Sequence, residues 1–181
     1  RQSKGSTSSV STHYHSLKKF FENETFNEDD RFIDVGCAKG RVIAYLLSTG
    51  FKGKLAGIEH NQEVAAYGQR WIQKKGYQNA TILSGDAFAI DYNEYNILSL
   101  ARSFMPWAFK NFVEKLEAEL EEKKIIPVDF GDDLSWEYLQ YVRQNKPQWK
   151  VPTEILYGSL DNLQSLESMQ QFAKESGAGV T

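Results

Sequence analysis

The segment RFIDVGCAKGRV, residues 31–42, constrains the fold of this chain more than any other part of the sequence. Its apolar start predicts a short buried strand over residues 32–35, and RVIAYLLSTG, which follows, predicts a helix that ends at Gly50. Three small residues separate the two elements: Gly36, Ala38 and Gly40. A strand that enters a helix through such a turn is typical of open α/β sheets, whose ligands lie outside the carboxyl ends of the strands.

Strands and helices alternate further along the chain. KLAGIEH, ATILSGD and EYNILSL predict three more strands, and HYHSLKKFFENETF predicts a helix before the first one. NQEVAAYGQRWIQKKGY predicts a helix with Asn61 as its N-cap and Gly76 at its end, and Pro106 begins a long amphipathic helix. This alternation predicts an α/β fold, a three-layer Rossmann-like sandwich with a mostly parallel sheet.

Composition excludes several classes of protein. The 181 residues are 41% hydrophobic and 25% charged, as in ordinary globular proteins, and no apolar run approaches the roughly 20 residues that a membrane span needs. The net charge of -3 argues against general nucleic-acid binding. Cys37 is the single cysteine, so no intramolecular disulfide can form, which fits a cytoplasmic location. Residues 1–12 are rich in serine and are predicted to be flexible.

Acidic residues follow the predicted strands and narrow the choice of ligand. Glu59 ends the second strand, where a carboxylate can accept both hydroxyls of a ribose. Asp86 ends the third strand and could accept a hydrogen bond from an adenine amino group, while Phe88 could cover the ring. Asp34 beside the glycine turn would repel a pyrophosphate but suits a sulfonium or ammonium group.

These features together resemble the class I S-adenosylmethionine-dependent methyltransferases over residues 13–120. The resemblance implies S-adenosylmethionine as the cofactor, with its methionine part near Asp34 and the glycine turn. The predicted cofactor-binding residues are Asp34, Gly36, Cys37, Ala38, Gly40, Glu59, His60, Asp86, Ala87 and Phe88. The methyl acceptor is expected near the end of the fourth strand. Many relatives that methylate nitrogen have Asn/Asp-Pro-Pro-aromatic there, whereas this chain has ARSF at residues 101–104, so no catalytic residue is assigned.

Residues 121–181 are similar to a different family, the C-terminal part of α/β-hydrolase-fold esterases and lysophospholipase-like proteins. Asp161 in YGSLDNL matches the position of the triad acid in that family. The sequence contains no G-x-S-x-G elbow, and no histidine follows Asp161, so a nucleophile and a base are missing. This pattern predicts a chimera whose hydrolase-like segment joins the same sheet.

Three functions stay open at this point. The first is methyl transfer from S-adenosylmethionine to an unidentified small-molecule or protein acceptor, which alignment of the reactants can accelerate without a general base. The second is a non-catalytic hybrid α/β scaffold that can still bind adenosyl ligands. The third is an α/β-hydrolase-type esterase without its nucleophile.

Two further expectations concern individual residues. The aromatic side chains of Tyr14, Trp107 and Phe109 are expected to pack in the core. The histidines show no metal-ligand spacing.

Overall fold

The computed structural model describes residues 13–100, 103, 104, 106–119, 124–127 and 144. Its helices are α1 (Tyr14–Phe21), α2 (Arg41–Ser48), α3 (Gln62–Lys75) and α4 (Pro106–Glu119). Its strands are β1 (Arg31–Val35), β2 (Lys54–Glu59), β3 (Ala80–Ser84), β4 (Ile97–Leu100) and β5 (Lys124–Pro127). Two short 3-10 turns, Ala87–Ala89 and Tyr92–Glu94, lie between β3 and β4.

The five strands form one parallel sheet in the order β3-β2-β1-β4-β5. The chain moves outward from β1 to β3 and then returns to the other side of β1 with β4. Strand order therefore reverses between β1 and β4, and a crevice opens at the carboxyl ends of strands at such a switch point.

Side chains alternate between the two faces of the sheet and build two apolar clusters. One face packs against α4; its members from the sheet and the helix include Ile33, Val35, Leu98, Phe109, Phe112 and Leu116. The opposite face packs against α1, α2 and α3; its members include Leu17, Phe32, Ile43, Leu46, Leu55 and Ile72. Helices thus cover both faces, which confirms the three-layer α/β sandwich predicted from the sequence.

Local sequence signals explain why α3 begins and ends where it does. The side chain of Asn61 accepts hydrogen bonds from the backbone N–H groups of Glu63 and Val64. Gly76 has a φ of 76°, the left-handed conformation that terminates helices. Both predicted ends of this helix are therefore confirmed.

Some expectations differ from the structure. The fourth strand begins at Ile97, later than the predicted EYNILSL segment, because Tyr92–Glu94 forms a 3-10 turn before it. The expected core packing of Tyr14 and Trp107 is wrong, since these side chains are 55% and 54% exposed. Phe109, in contrast, is buried as expected.

Pro127 ends β5, which is the outermost strand of the sheet among the residues that the structure describes. An outer strand tolerates proline because one side of it needs no ladder hydrogen bonds.

The flexible segment predicted over residues 1–12 lies outside the described residues. So does the hydrolase-like segment after β5, including Asp161, apart from residue 144. Within the described part of the chain, no helix is long and apolar enough to cross a membrane.

Candidate functional site

Three neighbouring strands bring the predicted site residues to one edge of the sheet. β1 ends at Val35, which pairs in register with Ile58 of β2, and Glu59 pairs with Ser84 of β3. The glycine turn, Glu59 and the segment that begins at Gly85 therefore follow adjacent strand ends in the order that the sequence predicts. They border the crevice at which ligands of open α/β sheets bind.

The glycine turn has a backbone that larger residues could not adopt without strain. Gly36 and Gly40 have φ values of 76° and 80°, and Ala38 has a φ of 49°. The N–H groups of Gly36 and Cys37 both donate to the carbonyl of Ile58, at 2.9 and 3.1 Å. These bonds hold the turn against the end of β2.

Glu59 supports the same turn through its side chain. One carboxylate oxygen, Oε2, accepts a hydrogen bond from the Ala38 N–H at 3.0 Å, and the other, Oε1, accepts from the Asn61 N–H at 2.8 Å. A carboxylate oxygen has two acceptor positions, so each oxygen keeps one for a further donor such as a ribose hydroxyl. His60, which follows Glu59, is exposed at the same edge.

Asp34 lies inside the sheet, directly before the turn, and is only 2% exposed. Its Oδ1 atom is buried and has no hydrogen-bond partner. The pKa of Asp34 is raised to about 7: burial raises it most, the Ser99 hydroxyl opposes the rise, and the negative charge of Glu59 adds to it. A buried carboxyl with one oxygen unpaired among the described residues suits a ligand that carries positive charge, so this site fits the methionine part of S-adenosylmethionine.

The third strand end presents an acid and an aromatic ring. Asp86 is exposed, and its Oδ1 accepts a hydrogen bond from the Phe88 N–H at 2.9 Å. The Phe88 ring is 37% exposed and packs edge-on against Phe104 and Phe112, with centroids 5.7 and 5.6 Å apart. Ala87 is partly buried against the cluster under α4. One side of the Phe88 ring thus has apolar support, while part of its surface stays open.

Cys37 is buried although it belongs to the turn. A Cβ atom added to Gly57 would lie 2.6 Å from the Cys37 Sγ atom, so this thiol fills the space that Gly57 leaves open. Burial raises the pKa of the Cys37 thiol, and the charges of Asp34 and Glu59 raise it further. A thiol in this environment stays protonated and serves packing rather than nucleophilic attack.

Sequence reasoning missed two serines near the turn. The Ser103 hydroxyl donates to the Val35 carbonyl, and a Cβ atom added to Gly36 would lie 2.9 Å from the Ser103 Cβ and Oγ atoms. Ser99 is fully buried in β4 and pairs in register with Asp34. Its signal in the sequence is a single polar residue inside the apolar strand ILSL. Within the described ranges, no group of three His, Cys, Asp or Glu side chains could hold a metal ion.

One known protein with a related sequence is a methyltransferase. A curated relative, a protein-lysine N-methyltransferase from Saccharolobus islandicus (strain REY15A), is 26% identical over 108 residues, which are 59% of this chain. The chain spans 63% of the length of that relative.

Solved structures agree on the fold. An RNA methyltransferase from Salinibacter ruber in complex with S-adenosyl-L-homocysteine superposes with a TM-score of 0.54 and 19% identity, over 62% of this chain and 72% of that one. A variant of MtNAS in complex with S-adenosylmethionine gives a TM-score of 0.50 and 20% identity, over 59% and 44% of the two chains. The family model described as "Methyltransferase domain" matches residues 26–126, more than half of the chain. The chain therefore belongs to the methyltransferase domain family.

Proposed function

We propose that this protein transfers a methyl group from S-adenosylmethionine to a nucleophilic acceptor. The observation that carries the proposal is Asp34, a buried carboxyl whose Oδ1 atom has no partner among the described residues, beside a glycine turn at the switch point of a parallel sheet. A dinucleotide would bring a pyrophosphate to this turn, and the carboxylate would repel it. S-adenosylmethionine brings a positive charge instead, and it is the cofactor that the family membership supports.

Each residue at the edge has a distinct part in holding the cofactor. We propose that Asp34 and the turn from Gly36 to Gly40 face the methionine part and that Glu59 accepts the ribose hydroxyls. Asp86 would accept a hydrogen bond from the adenine amino group, and the open part of the Phe88 ring would cover the base. Ala38, His60 and Ala87 are proposed to border the cofactor because they belong to the same segments, and the buried Cys37 would contribute by packing the turn against Gly57.

The bound cofactor supplies a methyl group on a positively charged sulfur, which an in-line nucleophile can remove. The contribution of this chain is alignment of the two reactants and exclusion of water, effects that can account for a large part of a rate enhancement. Ser103 and Phe104 lie beyond β4, and Ser103 contacts the turn at Gly36. The acceptor would therefore approach along this segment.

A protein lysine is the acceptor that we propose to test first. The curated relative is named as a protein-lysine N-methyltransferase. The net charge of -3 and the pI of about 5.7 favour a basic protein acceptor over RNA, whose phosphates an acidic surface repels. The single cysteine, which can form no intramolecular disulfide, supports our proposal of a cytoplasmic location.

Calorimetric titration of S-adenosylmethionine and S-adenosylhomocysteine tests the cofactor site. Asp86→Ala should weaken binding roughly tenfold because it removes the proposed partner of the adenine amino group. Asp91→Ala is the matched control: Asp91 accepts from the Asn93 N–H at 2.9 Å in the next 3-10 turn, as Asp86 does from Phe88. Equal losses in the two variants would contradict a ligand contact at Asp86. No binding by folded wild-type protein would refute the proposed function.

A non-catalytic adenosyl-binding scaffold is the second candidate. The ARSF sequence and the close packing of Ser103 on Gly36 favour it, because relatives that methylate nitrogen carry a polar Asn or Asp with prolines at this position. Incubation with methyl-labelled S-adenosylmethionine and basic proteins separates the two candidates. Label on lysine would support the methyltransferase, and binding without any turnover would support the scaffold.

The family match ends at residue 126, so it does not cover the rest of the chain. We propose that residues 121–181 form a hydrolase-like addition to the methyltransferase-like part, residues 13–120, and that they extend its sheet. The family match includes residues 124–126 of β5, which pairs in parallel with β4, so the later residues would extend the sheet beyond this strand. Because no serine elbow is present, an active-site serine probe should not label the protein, and specific labelling would revive the esterase alternative.

A further inference from the structure

Three residues in one register row interrupt the apolar face of the sheet that packs against α1, α2 and α3. Asp34 of β1 pairs with Gly57 of β2 on one side and with Ser99 of β4 on the other. Two positions earlier, on the same face, these strands carry large buried apolar side chains: Phe32, Leu55 and Ile97. We call Asp34, Gly57 and Ser99 the central row. It lies at the carboxyl end of the sheet, next to the glycine turn.

Each polar member of the central row has a buried oxygen atom without a hydrogen-bond partner among the residues that the structure describes. Asp34 is 2% exposed and Ser99 is fully buried, and neither Asp34 Oδ1 nor Ser99 Oγ has a hydrogen-bond partner. Leaving one buried polar atom unpaired costs about 1–3 kcal/mol, so two neighbours of this kind call for an explanation. Adjacent parallel strands lie about 4.8 Å apart, so the two side chains stand next to each other on one face.

The surroundings of Asp34 lack a compensating cation among the contacts that the structure describes. Glu59 from β2 is the charged group that acts on Asp34, and it is an acid; the Cys37 thiol of the turn, whose pKa is raised, stays protonated. Cys37 and Ile43 of α2 fill the space over Gly57. Elsewhere α1, α2 and α3 cover this face with apolar side chains. Ser99 is the neighbour that favours the charged form of Asp34, although Ser99 Oγ and Asp34 Oδ1 form no hydrogen bond with each other.

We propose that Ser99 is a positioning residue of the cofactor site, whose hydroxyl donates to the Asp34 carboxylate and holds it toward the cationic methionine part of the adenosyl ligand. This inference rests on the proposed function. A hydroxyl suits this position because it is a short donor that fits between two strands, and because it stabilises the carboxylate without neutralising it. Alanine would remove the donor, and threonine would keep it.

Calorimetry with S-adenosylhomocysteine, whose amino acid part carries an ammonium group, tests the inference in the full chain. Affinity should rise with pH through about 7, because the ligand favours the charged form of Asp34, whose pKa in the free protein is about 7. Ser99→Ala should lower the affinity about tenfold at pH 7 and by a smaller factor at pH 8.5, so the pH at which the affinity rises should be higher than in the wild-type protein. Ser99→Thr should restore the wild-type affinity. Ile97→Val, on the same face of β4, is the packing control.

Methylthioadenosine provides a second control because it has the nucleoside but no ammonium group. Its affinity should be the same in Ser99→Ala and in the wild-type protein. An equal loss for both ligands would show a general disturbance of the site and would overturn the inference.

Titration of the Asp34 carboxyl carbon by NMR in the free protein, assigned with Asp34→Asn, needs no ligand. The midpoint should lie higher in Ser99→Ala than in the wild-type protein. An unchanged midpoint alongside intact S-adenosylhomocysteine binding would overturn this inference alone. Failure of the folded wild-type protein to bind S-adenosylhomocysteine would overturn the proposed function and this inference with it.

Discussion

The carboxylate of Glu59 accepts a hydrogen bond from the backbone N–H of Ala38 and thereby joins β2 to the turn after β1. Ala38 has a positive φ, so this bond helps to hold a conformation that alanine seldom adopts. The second oxygen of Glu59 caps the start of the segment that leads into α3. One side chain thus shapes two of the three loops at the candidate site.

We expect Glu59→Ala to lower the free energy of unfolding by about 1–3 kcal/mol, since two N–H groups lose their acceptor. Glu59→Gln should cost less, because the amide oxygen can still accept one of the two bonds. Urea unfolding of both variants measures the difference. Glu28→Ala, an exposed acid in the loop before β1, is the control and should change stability by less than about 0.5 kcal/mol. Equal stability of Glu59→Ala and the control would contradict a supporting role.

The buried carboxyl of Asp34 should make stability depend on pH. Its pKa is raised from 3.8 to about 7 in the folded protein, so the folded state binds more protons than the unfolded state between these values. The contribution of Asp34 to stability is therefore fully present below pH 4 and is lost as the pH rises to about 7. Asp34→Asn removes this dependence, so its stability relative to the wild-type protein should increase between pH 5 and pH 8.

Urea unfolding at several pH values measures this change, whose upper limit is about 4 kcal/mol for a shift of this size. Asp29→Asn, at an exposed loop position, serves as the control and should leave the pH dependence of the wild-type protein intact. A pH profile of Asp34→Asn parallel to that of the wild-type protein would show that Asp34 stays ionised in the folded state.

The parts of the fold that depend on local signals were predictable from the sequence. Asn61 and Gly76 mark the ends of α3, and the small residues from Gly36 to Gly40 mark the first strand-to-helix turn. These signals depend on capping and on allowed backbone angles, which neighbouring residues determine. The order of the acids along the chain also predicted their arrangement, because parallel strands place all their carboxyl ends at one edge.

The central row could not be predicted in the same way. Ser99 is 65 positions from Asp34 in the sequence, and only the register of β1 with β4 places them side by side. The two bonds from Glu59 to the loops were missed for a similar reason: the side chain has other possible partners until the strand ends are fixed. Such relationships depend on tertiary pairing rather than on local pattern.

Trp107 shows where an expectation from residue type alone fails. Its neighbours on the buried face of α4 recur at helical spacing: Ala108, Phe109, Phe112, Val113 and Leu116. Trp107 precedes this stripe and is 54% exposed, so a large apolar side chain stays on the surface. Helical spacing of apolar residues therefore predicts burial on α4 better than the size of a single side chain does.

Substitutions on α4 should show this difference directly. Trp107→Ala should change the free energy of unfolding by less than about 0.5 kcal/mol, as for most surface positions. Phe109→Ala, two residues later, should cost about 3–5 kcal/mol because it empties a buried site. Urea midpoints of the two variants give the comparison. A large loss in Trp107→Ala would mean that this ring packs against a part of the protein that covers it in solution.

Gly57 should tolerate no side chain, because Cys37 and α2 occupy the space beside it. A Cβ atom there would lie 2.6 Å from the Cys37 Sγ atom and 2.8 Å from the Ile43 Cδ1 atom. We therefore expect Gly57→Ala to destabilise the protein by about 1–3 kcal/mol. Gly85→Ala is the matched control directly after β3, where, among the described residues, a Cβ atom would meet only the Ile58 Cδ1 atom at an ordinary 3.6 Å.

A double-mutant cycle with Cys37→Ala identifies the cause of the expected loss at Gly57. Removing the sulfur relieves the shortest of the three contacts, so the double variant should be more stable than the sum of the single changes predicts. Part of the loss should remain, since the Cys37 Cβ atom would still lie 2.9 Å from the new methyl group. Strict additivity of the two changes in the free energy of unfolding would mean that the Cys37 thiol does not lie over Gly57. It would contradict the packing of the glycine turn against the central row.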